Sequence, residues 1–178
     1  PIASYGDLQL FGDEATKLAV QGARTLATAL GGYFSRIRPG DYVALTAYLQ
    51  RDEETERLLG LLRHSVRDRL KVATTLGYGP RYLHSTGQLH KGGGGQVVVL
   101  QMTADDLQDL EIPGEPYTFG IMKRAQALGD LRALEGRGRR GRLPRRRPLP
   151  RRRSDRPHVR AEARRLLGRP QVPPFHQR

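Results

Sequence analysis

The hydrophobic positions of the chain recur with two different periods, and the two kinds of segment alternate. Between Glu14 and Ser35, apolar and small residues recur near every fourth position, which predicts a first helix that ends before the Pro39-Gly40 turn. Residues 42–48 form a short apolar run rich in strand formers, which predicts a central strand buried on both faces. Such alternation of helix and strand is typical of the α/β class.

The same alternation continues along the chain. Residues 52–70 predict a helix, because acidic residues cluster at its start and basic residues at its end, where the helix dipole favours them. Short strands are predicted over 71–76 and 96–102, with a third helix between them. Residues 117–135 predict the last helix, with Thr118 as its N-cap.

These elements predict a three-layer α/β/α sandwich with a partial parallel sheet. In sheets of this class the functional loops gather at the carboxyl ends of the strands. A complete domain would have a further strand after the last helix, but residues 136–142 are only glycine and arginine and cannot line a core. We therefore expect residues 1–135 to be a partial domain in a chain that is truncated at its start and altered at its end.

The excess positive charge of the chain lies after residue 135. The 178 residues carry 31 Lys and Arg against 18 Asp and Glu, a formal charge of +13. Residues 136–178 hold 16 Arg, no Lys, two acidic residues and 7 of the 12 prolines, so residues 1–135 carry a charge of about −1. Because prolines at this density interrupt helices and strands, we expect residues 136–178 to be a disordered Arg/Pro-rich tail.

Composition excludes several classes of protein. A chain without cysteine has no disulfide framework, thiolate zinc site, iron-sulfur cluster or cysteine nucleophile. No run of about 18 apolar residues appears, and residues 1–10 lack the basic and then apolar order of a secretory signal. We therefore expect a soluble, cytoplasmic protein that does not contact a membrane.

The densest group of polar residues lies at 77–93, between a predicted strand and a predicted helix. If this segment is helical, His84, Gln88 and Lys91 lie at spacings of four and three, so their side chains can converge on one face. An imidazole such as that of His84 can transfer protons near neutral pH. The combination suits a polar, anionic, hydroxylated ligand.

Three further residues can contact such a ligand. The hydroxyl groups of Ser85 and Thr86, with backbone amides at the start of a helix, can bind a phosphate or a sugar hydroxyl. Glu115 lies at the mouth of the last helix, where its carboxylate either contacts a substrate hydroxyl or only favours the helix dipole.

Structural explanations compete with each of these roles. A single histidine in a helix is more often a surface or hydrogen-bonded core residue than a catalytic one. His64 is expected to be solvated on a charged helix, and His90 can simply cap a helix C-terminus. Since His84 and His90 are six residues apart, they do not have the spacing of a helical metal pair, and we expect no metal site.

Four segments carry a resemblance to a known family. They are Arg38–Leu45 (RPGDYVAL), Gly77–Gly93 (GYGPRYLHSTGQLHKGG), Ile112–Gly120 (IPGEPYTFG) and Lys123–Asp130 (KRAQALGD). In order and spacing they resemble the carboxyl-terminal part of bifunctional transaldolase/glucose-6-phosphate isomerase proteins. The resemblance covers roughly residues 36–135.

The resemblance implies the flavodoxin-like sugar-isomerase fold and the interconversion of glucose 6-phosphate and fructose 6-phosphate, without metal or organic cofactor. It implies that a histidine, here His84, assists opening of the sugar ring. A sugar phosphate is the expected partner, and we also expect a homodimer. Together with the residue chemistry above, the expected substrate-binding residues are Ser85, Thr86, Gln88, Lys91 and Glu115.

The chain also departs from the family's pattern. No segment resembles the Phe-Asp-Gln motif that leads to an active-site lysine, and no glutamate matches the one that moves a proton between C1 and C2 through an enediol. Residues 92–96 stand where the family usually has the sequence Gly-Gly-Pro-Asn-Thr-Gly. No segment of the chain represents the transaldolase portion. A reading-frame slip in a GC-rich gene would produce a Pro-rich tail whose basic residues are all Arg and not Lys. Resequencing the codons for residues 130–145 would test this hypothesis.

Two other functions stay open beside the isomerase. The Arg-rich tail suits a nucleic-acid-binding module, because arginine clusters neutralise phosphates. Such binding would be non-specific, since the tail has one aromatic residue, Phe175, on which a base could stack. The third alternative is an inactive truncated fragment, because a missing strand leaves an unpaired sheet edge and exposed apolar surface.

Overall fold

The computed structural model describes residues 1–138 and the strand segments Arg140–Gly141 and Pro144–Arg146. The strands are β1 (Ala3–Tyr5), β2 (Leu8–Leu10), β3 (Tyr42–Tyr48), β4 (Ala73–Tyr78), β5 (Val97–Thr103), β6 (Arg140–Gly141) and β7 (Pro144–Arg146). The helices are α1 (Glu14–Ala19), α2 (Leu26–Phe34), α3 (Glu53–Leu70), α4 (Thr86–Gly92) and α5 (Phe119–Glu135), with a 3₁₀ turn at Arg81–His84.

The central strand is β3, which pairs in parallel with β4 on one side and β5 on the other. Tyr42 lies opposite Ala73 and Val97, and the register continues without a break to the carboxyl ends of the strands. The strand order is β1-β2-β7-β5-β3-β4, and β6 also pairs with β5. Three parallel strands with helices packed around them confirm the predicted α/β class and its α/β/α layers.

The two faces of the parallel sheet are covered by different elements. Val43, Leu45, Val98 and Leu100 pack on one face against α2, α3 and the β1-β2 hairpin. On the other face, Ala44, Val97 and Val99 pack against Leu134 of α5. Burial on both faces explains why β3 and β5 are almost continuously apolar in sequence.

The predicted first helix is two helices in the structure. α1 ends at Ala19, and the connection that follows contains Gly22 in a left-handed conformation with a φ of +76°. Thr25 then starts α2 with a capping box in which Thr25 and Thr28 satisfy each other's backbone amides. The helical period of the apolar residues runs through this break, so periodicity predicted one helix. The chain forms two helices because Gly22 turns the backbone and Thr25 caps a new helix.

The N-terminal hairpin was not predicted. Strands β1 and β2 pair antiparallel around the two residues Gly6 and Asp7, and Gly6 has a φ of +57°. A glycine beside an aspartate between short apolar segments is a known hairpin signal. The Gly6-Asp7 pair was therefore the sequence feature that could have predicted the hairpin.

The start of the tail corrects a second expectation. We expected no strand after the last helix, yet Arg140–Gly141 and Pro144–Arg146 both pair in parallel with β5, and the latter also pairs antiparallel with β2. Strand pairing is made by backbone groups, so residues that cannot line a core can still extend a sheet. The sheet therefore continues past the expected domain end at residue 135. The rest of the expected disordered tail lies outside the described residues.

The contact between α1 and α2 gives a first test of the fold. A Cβ at Gly32 would lie 2.1 Å from the carbonyl oxygen of Ala19, whereas a Cβ at Gly31 would have no atom within 4 Å. We expect Gly32→Ala to lower the free energy of unfolding by about 1–3 kcal/mol, because α1 must move. Gly31→Ala should be neutral or stabilising by up to about 1 kcal/mol. Urea unfolding of both variants measures this, and equal midpoints would contradict the packing described.

Candidate functional site

The candidate site lies at the carboxyl edge of the parallel sheet, after β4. The chain leaves β4 at Tyr78, makes the 3₁₀ turn Arg81–His84 and enters α4 at Thr86. Ser85 interrupts the helical backbone with φ −139° and ψ −104°. His84 is therefore not on the same helix as Gln88 and Lys91, which corrects the expectation of one continuous helical face.

His84, Ser85 and Thr86 are all exposed at this edge. The Ser85 hydroxyl donates to the backbone oxygen of Tyr82 at 3.2 Å, and its amide donates to the same oxygen at 3.0 Å. Within the described part of the chain, the His84 imidazole makes no hydrogen bond or ion pair. Its nitrogens are therefore open to a ligand.

Gln88 and Lys91 each make a contact of their own. The Gln88 side-chain amide is exposed and donates to the Leu83 backbone oxygen at 3.4 Å. The Lys91 ammonium lies 2.7 Å from the Asp130 carboxylate, with 22% of the Lys91 side chain exposed. The Lys91 side chain therefore links α4, on which it lies, to α5.

Glu115 is exposed in the loop between β5 and α5, where its amide donates to the Ile112 oxygen at 3.0 Å. Its carboxylate makes no bond to another described residue. The carboxylate at the start of α5 is instead that of Asp109, which accepts from the Thr118 hydroxyl at 2.5 Å and the Gly120 amide at 2.7 Å. The Thr118 hydrogen bond, followed by the Gly120 amide, holds the pKa of Asp109 below its usual value.

A buried polar cluster lies directly behind the exposed residues. The Tyr82 hydroxyl donates to the Asp130 carboxylate, which also binds Lys91. Only 1% of the Asp130 side chain is exposed. Burial, and then the hydrogen bond to Asp130, raise the pKa of the Tyr82 phenol, so Tyr82 stays a proton donor at neutral pH. These contacts fix the 3₁₀ turn and α4 against α5.

His90 lies at the other end of this cluster. Its Nδ1 is 2.8 Å from the Tyr42 hydroxyl, and its ring lies 6.2 Å from that of Tyr82, centroid to centroid. Burial lowers the pKa of His90 below its usual value, and the opposing effect of the Asp130 carboxylate offsets this only in part. His90 is therefore a neutral, hydrogen-bonded core histidine, whereas His64 on α3 is exposed as expected.

The strand ends below this cluster carry further buried polar groups. Tyr48 packs edge-on against Tyr82, and burial raises the pKa of its phenol to about 12. The Gln101 amide donates to the Ala127 oxygen at 2.9 Å. Gln101 lies opposite Thr46 in the sheet, whose buried hydroxyl has no hydrogen-bond partner among the described residues.

The roles of Tyr82 and Asp130 were not predicted from the sequence. Asp130 shares the buried stripe of α5 with Ala127, Leu131 and Leu134. A carboxylate on an apolar stripe requires a buried partner, and this was the available signal. Its partners come from two other elements, so spacing could not identify them.

The described residues contain neither a metal-binding group nor a membrane-spanning helix. In this part of the chain, no three His, Asp or Glu side chains are grouped so that they could hold a metal ion. No helix within it is both long and apolar enough to span a bilayer.

The Tyr82 hydroxyl gives a test of this cluster. We expect Tyr82→Phe to lower the free energy of unfolding by about 1–3 kcal/mol, because the buried Asp130 carboxylate loses a donor. Tyr78→Phe is the matched control, since the buried Tyr78 hydroxyl has no hydrogen-bond partner among the residues described. Urea unfolding at pH 7 measures both, and an equal effect of the two variants would contradict the role of Tyr82.

Comparison with known proteins supports the fold. No protein-family model matches the chain, and no curated protein matches it. Among solved structures, the chain is similar to a hypothetical protein from Thermus thermophilus, with a TM-score of 0.57 and 16% sequence identity. The match covers 74% of this chain and 36% of the Thermus chain, so this chain spans about a third of the length of that relative. At this identity the likeness concerns the fold alone.

Proposed function

We propose that this chain carries a partial sugar-isomerase domain whose reaction is the interconversion of glucose 6-phosphate and fructose 6-phosphate. The observation that carries the proposal is the segment Gly77–Gly93. It combines a sequence that resembles the isomerase family with a position at the carboxyl edge of a parallel sheet. Ligands of open α/β sheets bind at this edge.

His84 is the proposed catalytic residue. A closed sugar ring is a hemiacetal, and its opening requires a proton to leave the O1 hydroxyl and a proton to reach the ring oxygen. An imidazole performs both transfers near pH 7. The His84 imidazole is exposed and makes no bond to another described residue, so it is available for both.

The other residues of the site are proposed to hold the substrate. Ser85 and Thr86 present exposed hydroxyls beside His84 for the phosphate group. Gln88 and Glu115 remain proposed contacts for sugar hydroxyls, because both are exposed at the carboxyl edge. Lys91 is already bound by Asp130, so we now assign it to holding α4 in place.

The wider setting of the proposal rests on the sequence. The proposed reaction moves protons within one substrate, so it requires neither a metal nor an organic cofactor. The predicted cytoplasmic location and the predicted homodimer are kept as parts of the same proposal.

The decisive experiment is a coupled assay for conversion of fructose 6-phosphate to glucose 6-phosphate. We expect turnover by the full chain and a loss of about 10²-fold or more in kcat for His84→Ala, because general acid-base catalysis contributes at least that factor. His64→Ala is the matched control, since His64 is exposed on α3 and is not part of the site.

The outcomes separate the alternatives. A chain that is folded by circular dichroism but does not turn over substrate is the inactive fragment of the third hypothesis. Equal turnover by the wild type and His84→Ala would leave an isomerase in which another group opens the ring. The pH dependence of kcat in the wild type would then locate the pKa of that group.

We infer a second function, binding of polyanions, from the composition of residues 136–178. Sixteen arginines against two acidic residues give this segment a formal charge of +14, whereas residues 1–135 are nearly neutral. Arginine clusters bind phosphates electrostatically and release counterions. The low aromatic content favours attraction without base-specific contacts.

Salt dependence tests this second function. We expect binding of single-stranded oligonucleotides to weaken as salt rises, equally for oligonucleotides of different sequence. Replacing Arg151, Arg152 and Arg153 by Ser should reduce the slope of log K against log salt by about 2, at about 0.7 per lost phosphate contact. Fluorescence anisotropy measures the slope, and a slope unchanged by the triple substitution would contradict a role for these arginines.

A further inference from the structure

An open cleft lies at the amino edge of the parallel sheet, opposite the edge that carries His84. It is bordered by the turn of residues 37–41, which enters β3, and by residues 70–73, which connect α3 to β4. Its volume is about 460 Å³, within the range of small-molecule sites. None of the residues proposed for the isomerase reaction lines it.

Two cations border the cleft from opposite segments. Arg38 comes from the turn before β3 and Lys71 from the end of α3, and both side chains are exposed. Neither has an ion pair with a carboxylate of the described residues. The neighbouring carboxylate of Asp68 is bound to Arg67 at 2.8 Å. The Arg67 hydrogen bond, and more weakly the charges of Arg67 and Lys71, hold the pKa of Asp68 below its usual value, so Asp68 is the acidic group that competes with a ligand for Lys71.

The backbone of Arg38 is held in place by Asp41. The Asp41 carboxylate accepts from the Arg38 amide at 2.6 Å, and the Asp41 amide donates to the Arg38 oxygen at 3.0 Å. Gly40 completes this turn with a φ of +85°. The single carboxylate that lines the cleft is thus bonded to the backbone of its own turn, and the Arg38 side chain is exposed.

Lys71 has a backbone conformation that a lysine rarely adopts. With φ +55° and ψ +39°, it is the one non-glycine residue of positive φ in the described part of the chain. Its amide ends α3 by donating to the Arg67 oxygen at 2.8 Å. Glycine is the usual residue at such a position and would avoid the backbone strain, so the presence of a lysine points to a role of its side chain, either at the helix end or in the cleft.

Three aliphatic residues, called the aliphatic floor below, form the apolar part of a cleft lining that is otherwise mostly polar. They are Ile37, Leu70 and Val72, which are half-buried and pack against the core on the α2 and α3 side of the sheet. Two exposed cations without a close ion pair, beside a small aliphatic patch, match the chemistry of an organic anion. We propose that the cleft binds small organic anions, with a phosphate or carboxylate group between Arg38 and Lys71 and a carbon body on the aliphatic floor.

A competing explanation assigns Lys71 to the helix alone. A cation near a helix C-terminus stabilises the helix dipole, and Arg67 and Arg69 already lie in the last turn of α3. In that case Lys71 would affect stability and bind no ligand. The substitution Lys71→Gly separates the two explanations, because it relieves the backbone strain and removes the cation.

The test is a site-resolved titration of the full chain with phenyl phosphate at constant ionic strength, followed by ¹H-¹⁵N NMR. We expect amide shifts at residues 37–41 and 70–73, with weaker shifts for inorganic phosphate, which has no carbon body. Lys71→Gln and Arg38→Gln should each raise Kd about fivefold, the effect of one solvated charge pair at close range. Arg69→Gln is the matched control, since Arg69 does not line the cleft.

Lys71→Gly should raise the urea midpoint and raise Kd as much as Lys71→Gln. Shifts confined to other residues, or a Kd unchanged by Lys71→Gln and Arg38→Gln, would overturn the proposal. Equal affinity for phenyl phosphate and inorganic phosphate would overturn the role of the aliphatic floor. Isomerase activity enters none of these readouts, so the outcome is independent of the reaction proposed for His84.

Discussion

A single buried carboxylate ties together the second face of the sheet. Asp130 projects from α5, accepts the Tyr82 hydroxyl from the 3₁₀ turn and binds the Lys91 ammonium from α4. A charge with 1% of its side chain exposed is tolerated only where it is paired and hydrogen-bonded, so these three elements must meet at one point. Because Ser85 bonds to the Tyr82 oxygen, the placement of the exposed residues around His84 follows from the same contact.

The tight packing of glycines supports this arrangement. A Cβ at Gly77 would lie 2.7 Å from the Tyr82 Cβ, and a Cβ at Gly79 would lie 2.4 Å from the Tyr48 ring. The two tyrosines therefore rest directly on the backbone at the end of β4. Larger residues at these two positions would push the 3₁₀ turn away from the sheet and separate Tyr82 from Asp130.

The two edges of the sheet have different chemistry. The carboxyl edge presents an exposed imidazole and hydroxyls in front of a buried hydrogen-bonded cluster, which suits proton transfer on a polar ligand. The amino edge presents two cations beside the aliphatic floor, an arrangement that suits binding of an anion without catalysis. The strands fix this division, because parallel strands place all their carboxyl ends on one side.

The sequence by itself determined the layers, the strands β3, β4 and β5, and the helices α3 and α5, because burial on one stripe or on both faces leaves a periodic pattern that needs no distant partner. It also placed the segment of His84 directly after a predicted strand and Glu115 just before the last helix, although it put His84 on a helical face shared with Gln88 and Lys91. Only the tertiary structure decided that Ser85 breaks the helix, that Lys91 binds Asp130, and that arginine-rich residues extend the sheet. Those outcomes depend on groups from segments far apart in the chain, and local spacing carries no information about which of them come into contact.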